Sequence, residues 1–428
     1  MNLTQDAKIS QVTEKTIVIG VDIASEVHFA RAFDWRGIEL DKVYSFENSA
    51  EGFRSFTEWV SGISEKTKKG HVMIGAEPTG HYWFSLGIYL RDKGVKLVLV
   101  NPYHVKQSKE LDDNHPGKSD RKDPKTIAKL VIDGRYNEPY IPEGVYAELR
   151  VVMNSRWRIL REMTALKNQI HRWLKIYFPE HATVFGSFDC VSSMAILRTA
   201  PLPEDLRELG ADGINAVWRR AKLKAVGLKR ATRLHAAAND TIGCADGIAA
   251  ARMDLWLLLD DYEAKCQQYS AVMSVAEELC NQIPEVAELL KIKGVGLITV
   301  AGFLAEVGDL RRFESPRQIQ KLAGLAIKEN SSGKHKGQTS ISKRGRAKLR
   351  AILFRAAISL AATNSEFREI HRYYTTRANN PLKKKQSIVA MSCKLIRVFH
   401  TIVVKGRIYD PEKLLADIHR NQPDTMAA

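Results

Sequence analysis

The stretch TIVIGVDIA, residues 16–24, is an apolar run rich in isoleucine and valine that carries a single carboxylate, Asp22, near its end. Short runs of β-branched residues bounded by polar segments are typical of a buried strand. A carboxylate at the end of such a strand is unusual, because a charged group is costly to bury unless it is paired or binds a cation. The stretch therefore predicts a buried strand that delivers one acidic side chain to the edge of a sheet.

The segments that follow continue this pattern. VHFARAFD and DKVYSFEN flank the turn WRGIEL and predict two more strands of a meander. SAEGFRSFTEWVSGI predicts an amphipathic helix capped by Ser49. Strand HVMIGAE, helix YWFSLGIYLRDKG and strand VKLVLVNP come next, then the helix DPKTIAKLVIDG, with Asp123 as its cap and Pro124 at its first position. Three strands, then helix, strand, helix, strand and helix, is the order of the RNase H-like fold, although actin-like ATPases begin in the same way.

The middle of the chain is predicted to be helical. Residues 149–177 form an arginine-rich helix with an apolar stripe, and a less regular stretch with short helices follows. Apolar residues then recur at alternating steps of four and three, as in a heptad seam. The seam residues are Leu255, Leu259, Tyr262, Cys266, Tyr269, Met273, Ala276 and Cys280. This pattern is compatible with a hairpin inside one chain or with a coiled coil between two chains, and we favour dimerisation.

The last third is predicted to be helical around one basic loop. LLKIKGVGLITVAGFLAEVG reads as two helices joined at Gly294 and Gly296, either a phosphate-binding helix-hairpin-helix or a tight turn in a core. The glycine-punctuated loop KENSSGKHKGQTSISKRGR separates it from further helices. The predicted fold class is α/β plus α. The predicted regions are an RNase H-like (RuvC-like) domain at 1–148, a helical coiled-coil region for oligomerisation and nucleic-acid contact at 149–284, and a mainly helical domain at 285–428.

Composition narrows the class of partner. The 428 residues carry a formal net charge of +16, which favours a polyanion such as nucleic acid, because lysine and arginine release the counterions of phosphates. Five scattered cysteines without CxxC spacing argue against a disulfide framework and against a zinc site. We find no leader-like segment and no apolar run of about 18 residues, so we expect a cytoplasmic protein that does not enter a membrane.

Four carboxylates fall where a metal site is expected. Asp22 and Glu77 end the first and fourth predicted strands, which are neighbours in an RNase H-like sheet. Asp120 and Asp123 are three residues apart at a helix start, on neighbouring sides of one turn. Four such groups cannot ionise together without cations, and Mg²⁺ prefers oxygen ligands. Taken singly, each has an ordinary interpretation as a cap or a surface charge.

The blocks GVDIASE, GAEPTGHYW and KSDRKDPKTIAKL resemble those of the DEDD transposases of insertion sequences, the one-ten family with its eleven-eleven subgroup. The segment from IKGVGLITVAGFLAEVG to KRGRAKLRAILFRAA is similar to that family's second domain. The resemblance covers residues 16–140 and 286–405, and it implies a RuvC-like N-terminal domain. Pro124 and the turn KLAGLAIKE depart from the family pattern, and the resemblance says nothing about residues 178–250.

This resemblance implies a mechanism. Asp22, Glu77, Asp120 and Asp123 match the Mg²⁺-binding tetrad, and Ser332 matches a nucleophilic serine, with Ser331 one position away. The implied partners are double-stranded DNA at the element ends and target and a structured guide RNA encoded by the element. Asp22 and Ser332 are about 300 residues apart, so we also expect a composite site assembled between the protomers of a dimer or tetramer. The implied setting is the cytoplasm and nucleoid of a bacterium or archaeon. Residues expected to contact nucleic acid are Lys334, His335, Lys336, Lys343, Arg344, Arg346, Arg156, Arg158, Arg161 and Arg172.

Two other functions fit parts of the sequence. A RuvC-like nuclease or junction resolvase would use water as the nucleophile, and the two serines would only bind phosphate. A non-catalytic nucleic-acid-binding protein would need no carboxylate tetrad, so the intact set argues against it. An actin-like sugar kinase is disfavoured by the charge and by the lack of a second phosphate motif.

Overall fold

A computed structural model describes residues 4–112, 123–328, 331–332, 335–336 and 339–419 of the chain. It divides into two compact units, of which the first ends at Glu143 and the second begins at Gly144. The three functional regions predicted from the sequence are a finer division than these two units, and they stay a prediction.

The first unit is a mixed sheet with helices. Its strands are β1 (Thr16–Asp22), β2 (Val27–Phe33), β3 (Tyr44–Glu47), β4 (His71–Ala76), β5 (Lys96–Val100) and β6 (Tyr136–Asn137). Its helices are α1 (Gln5–Ile9), α2 (Ala50–Thr67), α3 (Trp83–Asp92), α4 (Pro102–Asp112) and α5 (Asp123–Ile132). Within the described residues the strand order is β3-β2-β1-β4-β5-β6. β1, β4 and β5 are parallel to one another, whereas β2, β3 and β6 are each antiparallel to a neighbour.

The strands and helices predicted for this unit are confirmed, because their signals are strong. β1 lies at the centre of the sheet, and its apolar side chains are fully buried. Ser49 caps α2 as predicted, since the Gly52 backbone N–H donates to its Oγ at 3.0 Å. The sequence analysis did not identify α1, α4 or β6. α1 and β6 are too short to show a period, and α4 is polar.

The second unit is mainly helical. Its helices are α6 (Gly144–Tyr177), α7 (His181–Val184), α8 (Val191–Thr199), α9 (Pro203–Arg220), α10 (Leu228–Asn239), α11 (Ile248–Asn281), α12 (Glu285–Leu290), α13 (Leu297–Val307), α14 (Pro316–Leu322), α15 (Ala347–Thr363), α16 (Ser365–Thr376), α17 (Lys384–Lys405) and α18 (Pro411–His419). Its short strands are β7 (Ile327–Lys328), β8 (Ser331–Ser332), β9 (His335–Lys336) and β10 (Ser340–Ile341). The predicted fold class, α/β followed by mainly α, is confirmed at this level.

The heptad seam of α11 packs inside the chain. Leu255 and Leu259 are fully buried in one cluster with Ile170 and Trp173 of α6, and the Trp173 indole N–H donates to the Ala251 carbonyl at 2.8 Å. Side chains that are already buried against α6 are not available to a second chain. The dimer that we favoured for this seam is therefore corrected to an intramolecular hairpin of α6 and α11.

Helix α17 is long and mostly apolar, although Lys394 and Arg397 interrupt its apolar residues. Among the described helices it is the one that is long and apolar enough to cross a membrane. Most of that apolar stretch is buried, and the Phe399 ring meets the Phe303 ring edge-on at 5.0 Å. These contacts are those of a core helix.

Candidate active-site residues in the two units

Two of the predicted carboxylates end neighbouring strands. β1 and β4 are parallel, and their register pairs Val21 with Ala76. Asp22 and Glu77 are the next residues along the two strands, so both leave the sheet at the same edge. Parallel pairing thus brings together two acidic residues that are 55 positions apart in the chain.

A glycine in β1 lets the helix that carries Asp123 approach the sheet. A Cβ atom added to Gly20 would lie 1.8 Å from the Pro124 carbonyl oxygen and 2.9 Å from the Ala128 backbone nitrogen. No side chain fits in that space, so the backbone of α5 rests directly on β1. Asp123 begins this helix and is buried. Gly20 is two residues before Asp22, so the close approach sets Asp123 beside the strand that carries Asp22.

These carboxylates form only part of a metal site in the described residues. Carboxylate oxygens are the donors that hard divalent cations take, so the residue types fit such an ion. Among the described residues, however, no group of three or more histidine, cysteine, aspartate or glutamate side chains is arranged to hold a metal. Asp120, the fourth predicted ligand, lies outside the described residues.

The segment predicted as a loop in the second unit forms a β-hairpin instead. Ile327 pairs with Ile341 and Lys328 with Ser340, and further along Ser331 pairs with Lys336 and Ser332 with His335. All pairs are antiparallel, so Ser332 lies in the last described pair, opposite His335. The strands are two residues long, which is too short for an alternating pattern to reveal them in the sequence.

Backbone contacts fasten the base of this hairpin to the end of α14. A Cβ atom on Gly345 would lie 2.4 Å from the Leu322 carbonyl oxygen. The Lys343 backbone N–H donates to the Gly324 carbonyl at 3.0 Å. The Arg350 guanidinium donates to the Ala323 carbonyl at 2.9 Å and to the Lys343 carbonyl at 3.3 Å. Glycine is thus required at position 345 because two backbone segments approach closely there. The sequence motif Ser-Lys-Arg-Gly did not indicate this requirement.

The basic residues predicted to contact nucleic acid have different surroundings. Lys343, Arg344, Arg158, Arg161 and Arg172 are exposed, and Arg158 lies 3.8 Å from Glu162. His335 and Lys336 are described only as members of β9, and Lys334 lies outside the described residues. These residues remain candidates for phosphate contact.

Two predicted contact residues have structural partners. Arg156 is buried, its guanidinium donates to the Tyr269 hydroxyl at 3.3 Å and stacks 5.5 Å from that ring, and it holds α6 to α11. A buried side chain cannot reach a phosphate, so Arg156 is withdrawn from the contact set. Arg346 donates to the Glu306 carbonyl at 2.7 Å and lies 3.4 Å from its carboxylate, so part of its charge is balanced within the chain.

The turn between α12 and α13 has contacts that explain its first glycine. Gly294 has φ +93°, and a Cβ atom there would lie 2.5 Å from Thr363 Oγ1. The Asn364 side-chain amide donates to the Lys293 carbonyl at 3.0 Å. This packing supports the interpretation as a tight helix–helix turn. Gly296, at the exposed start of α13, has open space around it, so the phosphate-binding alternative stays open.

Family comparisons match both units. A transposase model for DEDD enzymes of the IS110 type matches residues 19–179, and a model described as the transposase IS116/IS110/IS902 family matches residues 286–372. The first match contains the strands with Asp22 and Glu77 and the start of α5, and the second contains the hairpin with Ser332. DEDD transposases typically use a divalent metal ion.

Several curated proteins are similar along much of the chain. A transposase for insertion sequence element IS1111A of Coxiella burnetii is 24% identical over 344 residues, covering 80% of this chain and 77% of the relative. A putative transposase of Sinorhizobium fredii is 27% identical over 83% of each chain. A pilin gene-inverting protein of Moraxella bovis is 30% identical over 139 residues, or 31% of this chain and 42% of that protein.

Transposases cleave and rejoin DNA strands, and the two family matches together span both the acidic sheet edge and the serine hairpin. These findings also account for DNA as the polyanion that the charge of the chain predicted. The chain belongs to the IS110 family of insertion-sequence transposases.

Proposed function

We propose that this transposase cleaves DNA through a covalent serine intermediate, with a carboxylate-bound Mg²⁺ and a guide RNA. The observation that carries the proposal is the register of β1 with β4, which brings Asp22 and Glu77 to one sheet edge beside the helix of Asp123. The strand order β3-β2-β1-β4-β5, with its first three strands antiparallel, supports an RNase H-like fold for this unit.

The carboxylates would serve as ligands. Asp22, Glu77, Asp120 and Asp123 would hold one or two Mg²⁺ ions through their oxygens, because hard cations take such donors. When bound, Mg²⁺ would polarise the scissile phosphate and stabilise the charge that develops on its oxygens. Asp123 is buried at the start of α5, and this burial restricts the positions that its carboxylate can take.

Ser332 would supply the nucleophile. Its hydroxyl oxygen attacks a DNA phosphorus, the Oγ–P bond forms, and the bridging P–O bond of the strand breaks. The serine proton passes to a base or to water, and the departing strand oxygen takes up a proton. Attack by the hydroxyl of another strand then reverses these steps, so the strand is rejoined without ATP because the phosphodiester bond energy is kept in the intermediate.

The residues around Ser332 suit this task. His335 is the pairing partner of Ser332 in β9 and Lys336 is that of Ser331, whereas Lys343 and Arg344 are exposed further away, at the hairpin base. Cations at this position would hold the phosphate and balance the charge of the transition state. Ser331, one position earlier in β8, remains the alternative nucleophile, because a shift of one residue in the match to the family motif would exchange the two serines.

The proposal extends to partners. The net charge of +16 and the exposed Arg158, Arg161 and Arg172 on α6 would accommodate an element-derived guide RNA in addition to duplex DNA. Because Asp22 and Ser332 are about 300 residues apart in the sequence, we propose that the complete site is assembled between the protomers of a dimer or tetramer. We place the protein in the cytoplasm, at the nucleoid. Purifying it with its bound nucleic acid and sequencing the RNA tests the guide: only random cellular RNA would contradict it.

Ser332→Ala tests the nucleophile. We expect loss of covalent protein–DNA adducts and of strand exchange on an element-end substrate, with DNA affinity and the melting temperature retained. Ser331→Ala is the matched control and should keep both activities. Continued cleavage by Ser332→Ala without adducts would instead favour a nuclease that uses water, and loss of adducts only in Ser331→Ala would move the role by one residue.

A further inference from the structure

The region from α7 to α10, for which the family resemblance implies no role, contains a strongly basic connection between two helices. Residues 213–239 carry seven lysines and arginines and no aspartate or glutamate. The seven are Arg219, Arg220, Lys222, Lys224, Lys229, Arg230 and Arg233. All lie in the last turn of α9, the connection, or the first turns of α10, and we call residues 219–233 the basic turn.

The basic turn is a rigid structure. The Leu223 backbone N–H donates to the Trp218 carbonyl at 2.9 Å and the Lys222 N–H to the Arg219 carbonyl at 3.0 Å, which is the Schellman arrangement at the end of α9. The Arg219 guanidinium donates to the carbonyls of Leu223 and Val226, both at 2.8 Å. These bonds fix the connection, so its cations are held at defined positions.

Two lysine positions in this segment are unfavourable for the ends of helices. Lys222 has φ +58°, in the left-handed region where glycine is the favoured residue after a helix. Lys229 and Arg230 lie in the first turn of α10, which has no acidic residue and no side-chain cap at Gly227. Positive charge at a helix N-terminus is unfavourable, because the unpaired N–H groups there attract anions. A bound phosphate would offset the second penalty, and the first places the Lys222 cation next to that helix end in the sequence.

The cations of the basic turn are available. Arg220, Lys222, Lys224 and Lys229 are exposed, and none of them pairs with a carboxylate in the part of the chain that the structure describes. Elsewhere in the same region, arginines are neutralised: Arg252 pairs with Asp205 at 2.7 Å, and Arg198 reaches Asp260 and Glu263. The unpaired charge is therefore concentrated at one end of the α9–α10 hairpin.

The geometry points to a docking surface for the phosphate backbone of duplex DNA, separate from the residues proposed for strand cleavage. Trp218 is the one tryptophan, tyrosine or phenylalanine of this segment and is fully buried, so residues 219–233, the basic turn, offer no aromatic platform for single-stranded bases. Arg219 and Arg233 donate to backbone carbonyls of the chain, and three of the other four exposed cations are lysines, which favours contact with phosphates over the readout of bases. DNA is chosen because the family acts on it, and the inference does not depend on Ser332 or on a guide RNA.

Two substitutions separate binding from folding. Lys222→Gly removes a cation and supplies the residue that a left-handed position favours, and Gly227→Asp adds a cap and a negative charge where phosphate would bind. A Cβ atom at Gly227 meets its nearest neighbour at an ordinary 3.6 Å. Both variants should melt at or above the temperature of the unmodified protein, so weaker DNA binding cannot be caused by misfolding. A lower melting temperature in either variant would contradict the helix-end argument.

The measurement is the affinity of the full chain for duplex DNA of arbitrary sequence between about 50 and 200 mM salt. We expect the slope of log affinity against log salt to become shallower by about 1 for Lys222→Gly and by about 3 for the Lys222→Gly, Lys224→Ala and Lys229→Ala triple variant. Lys68→Gly is the matched control: Lys68 is exposed, has φ +56°, and follows α2 just before the start of β4, away from the sheet edge of Glu77.

The outcomes distinguish duplex DNA from other nucleic acids as the ligand of the basic turn. Unchanged slopes in the triple variant, or an equal change in Lys68→Gly, would overturn the proposal. A change confined to duplex RNA or to single-stranded DNA would also overturn it, since it would assign the basic turn to another ligand.

Discussion

The two units hold their candidate site residues in different ways. Asp22 and Glu77 directly follow buried residues of β1 and β4. Asp123 begins a helix whose backbone packs against Gly20. Ser332 lies in a two-residue strand of a surface hairpin, and exposed Ile327 begins that hairpin. The acidic residues are thus positioned by core packing, whereas the serine is positioned by backbone contacts at Gly324 and Gly345.

This difference has a physical consequence. Displacing a carboxylate requires disturbing the sheet core, which is cooperative and costly. At the hairpin base Ile327 is exposed, so displacing that residue disturbs much less packing. We infer that the packing of the first unit sets the positions of Asp22, Glu77 and Asp123.

The largest expected effect is on chemistry. Asp22→Asn removes a charge from the sheet edge without changing side-chain size. Loss of metal-dependent charge stabilisation worth several kcal/mol should reduce strand cleavage by roughly a thousandfold. DNA affinity and thermal stability should be retained. Cleavage assays with Asp92→Asn, a surface carboxylate beside Arg91, serve as the control. Full activity of Asp22→Asn would remove the sheet edge from the mechanism.

A smaller effect is expected from Gly20→Ala, which tests the role of core packing. The added methyl group would meet the Pro124 carbonyl oxygen at 1.8 Å, so α5 must shift away from β1. Overpacking of this kind costs about 1–3 kcal/mol, and cleavage should fall with it because Asp123 moves. Thermal unfolding and cleavage are the measurements. Gly62→Ala is the control: its Cβ has open space on helix α2, so stability should rise slightly. An unaffected Gly20→Ala protein would contradict the close approach.

The smallest effect on stability is expected from Gly345→Ala, which tests the hairpin. A Cβ atom would meet the Leu322 carbonyl at 2.4 Å and detach the hairpin base from α14. Because Ile341 is the one described hydrophobic residue of the hairpin that packs against the helical core, global unfolding should change by no more than about 1 kcal/mol. Hydrogen exchange of residues 327–341 should accelerate, and adduct formation should fall. Gly186→Ala, at an open position of the same unit, is the control. A large loss of global stability would show that the hairpin belongs to the core.

The sequence predicted the sheet unit better than the second unit. β1, β4 and β5 are long apolar runs, and Ser49 is a clear cap, so their signals are local. The heptad seam of α11 was identified correctly, but its partner was not. The same spacing of Leu255, Leu259 and Tyr262 suits a helix of the same chain or of another, and only the position of α6 decides between them.

The site shows the same division. Asp22, Glu77 and Asp123 were predicted as site residues because each lies beside a strong local pattern, and their role stays a prediction. Arg156 was assigned to nucleic acid on charge alone, because a buried arginine that contacts Tyr269 looks like an exposed one in the sequence. The positive φ angle of Lys222 was also not predicted from the sequence, since it depends on how α9 and α10 pack together.

The sequence by itself determined the family, the order of the longer strands and helices, the candidate acidic residues and the excess of positive charge. Each of these depends on residue type and local spacing. The tertiary structure decided which strands pair, that α5 rests on Gly20, that α11 packs on α6, and that the serine segment is a hairpin. Those features depend on contacts between residues that are distant in the chain. Such contacts are selected by the packing of the whole core, which no local pattern specifies.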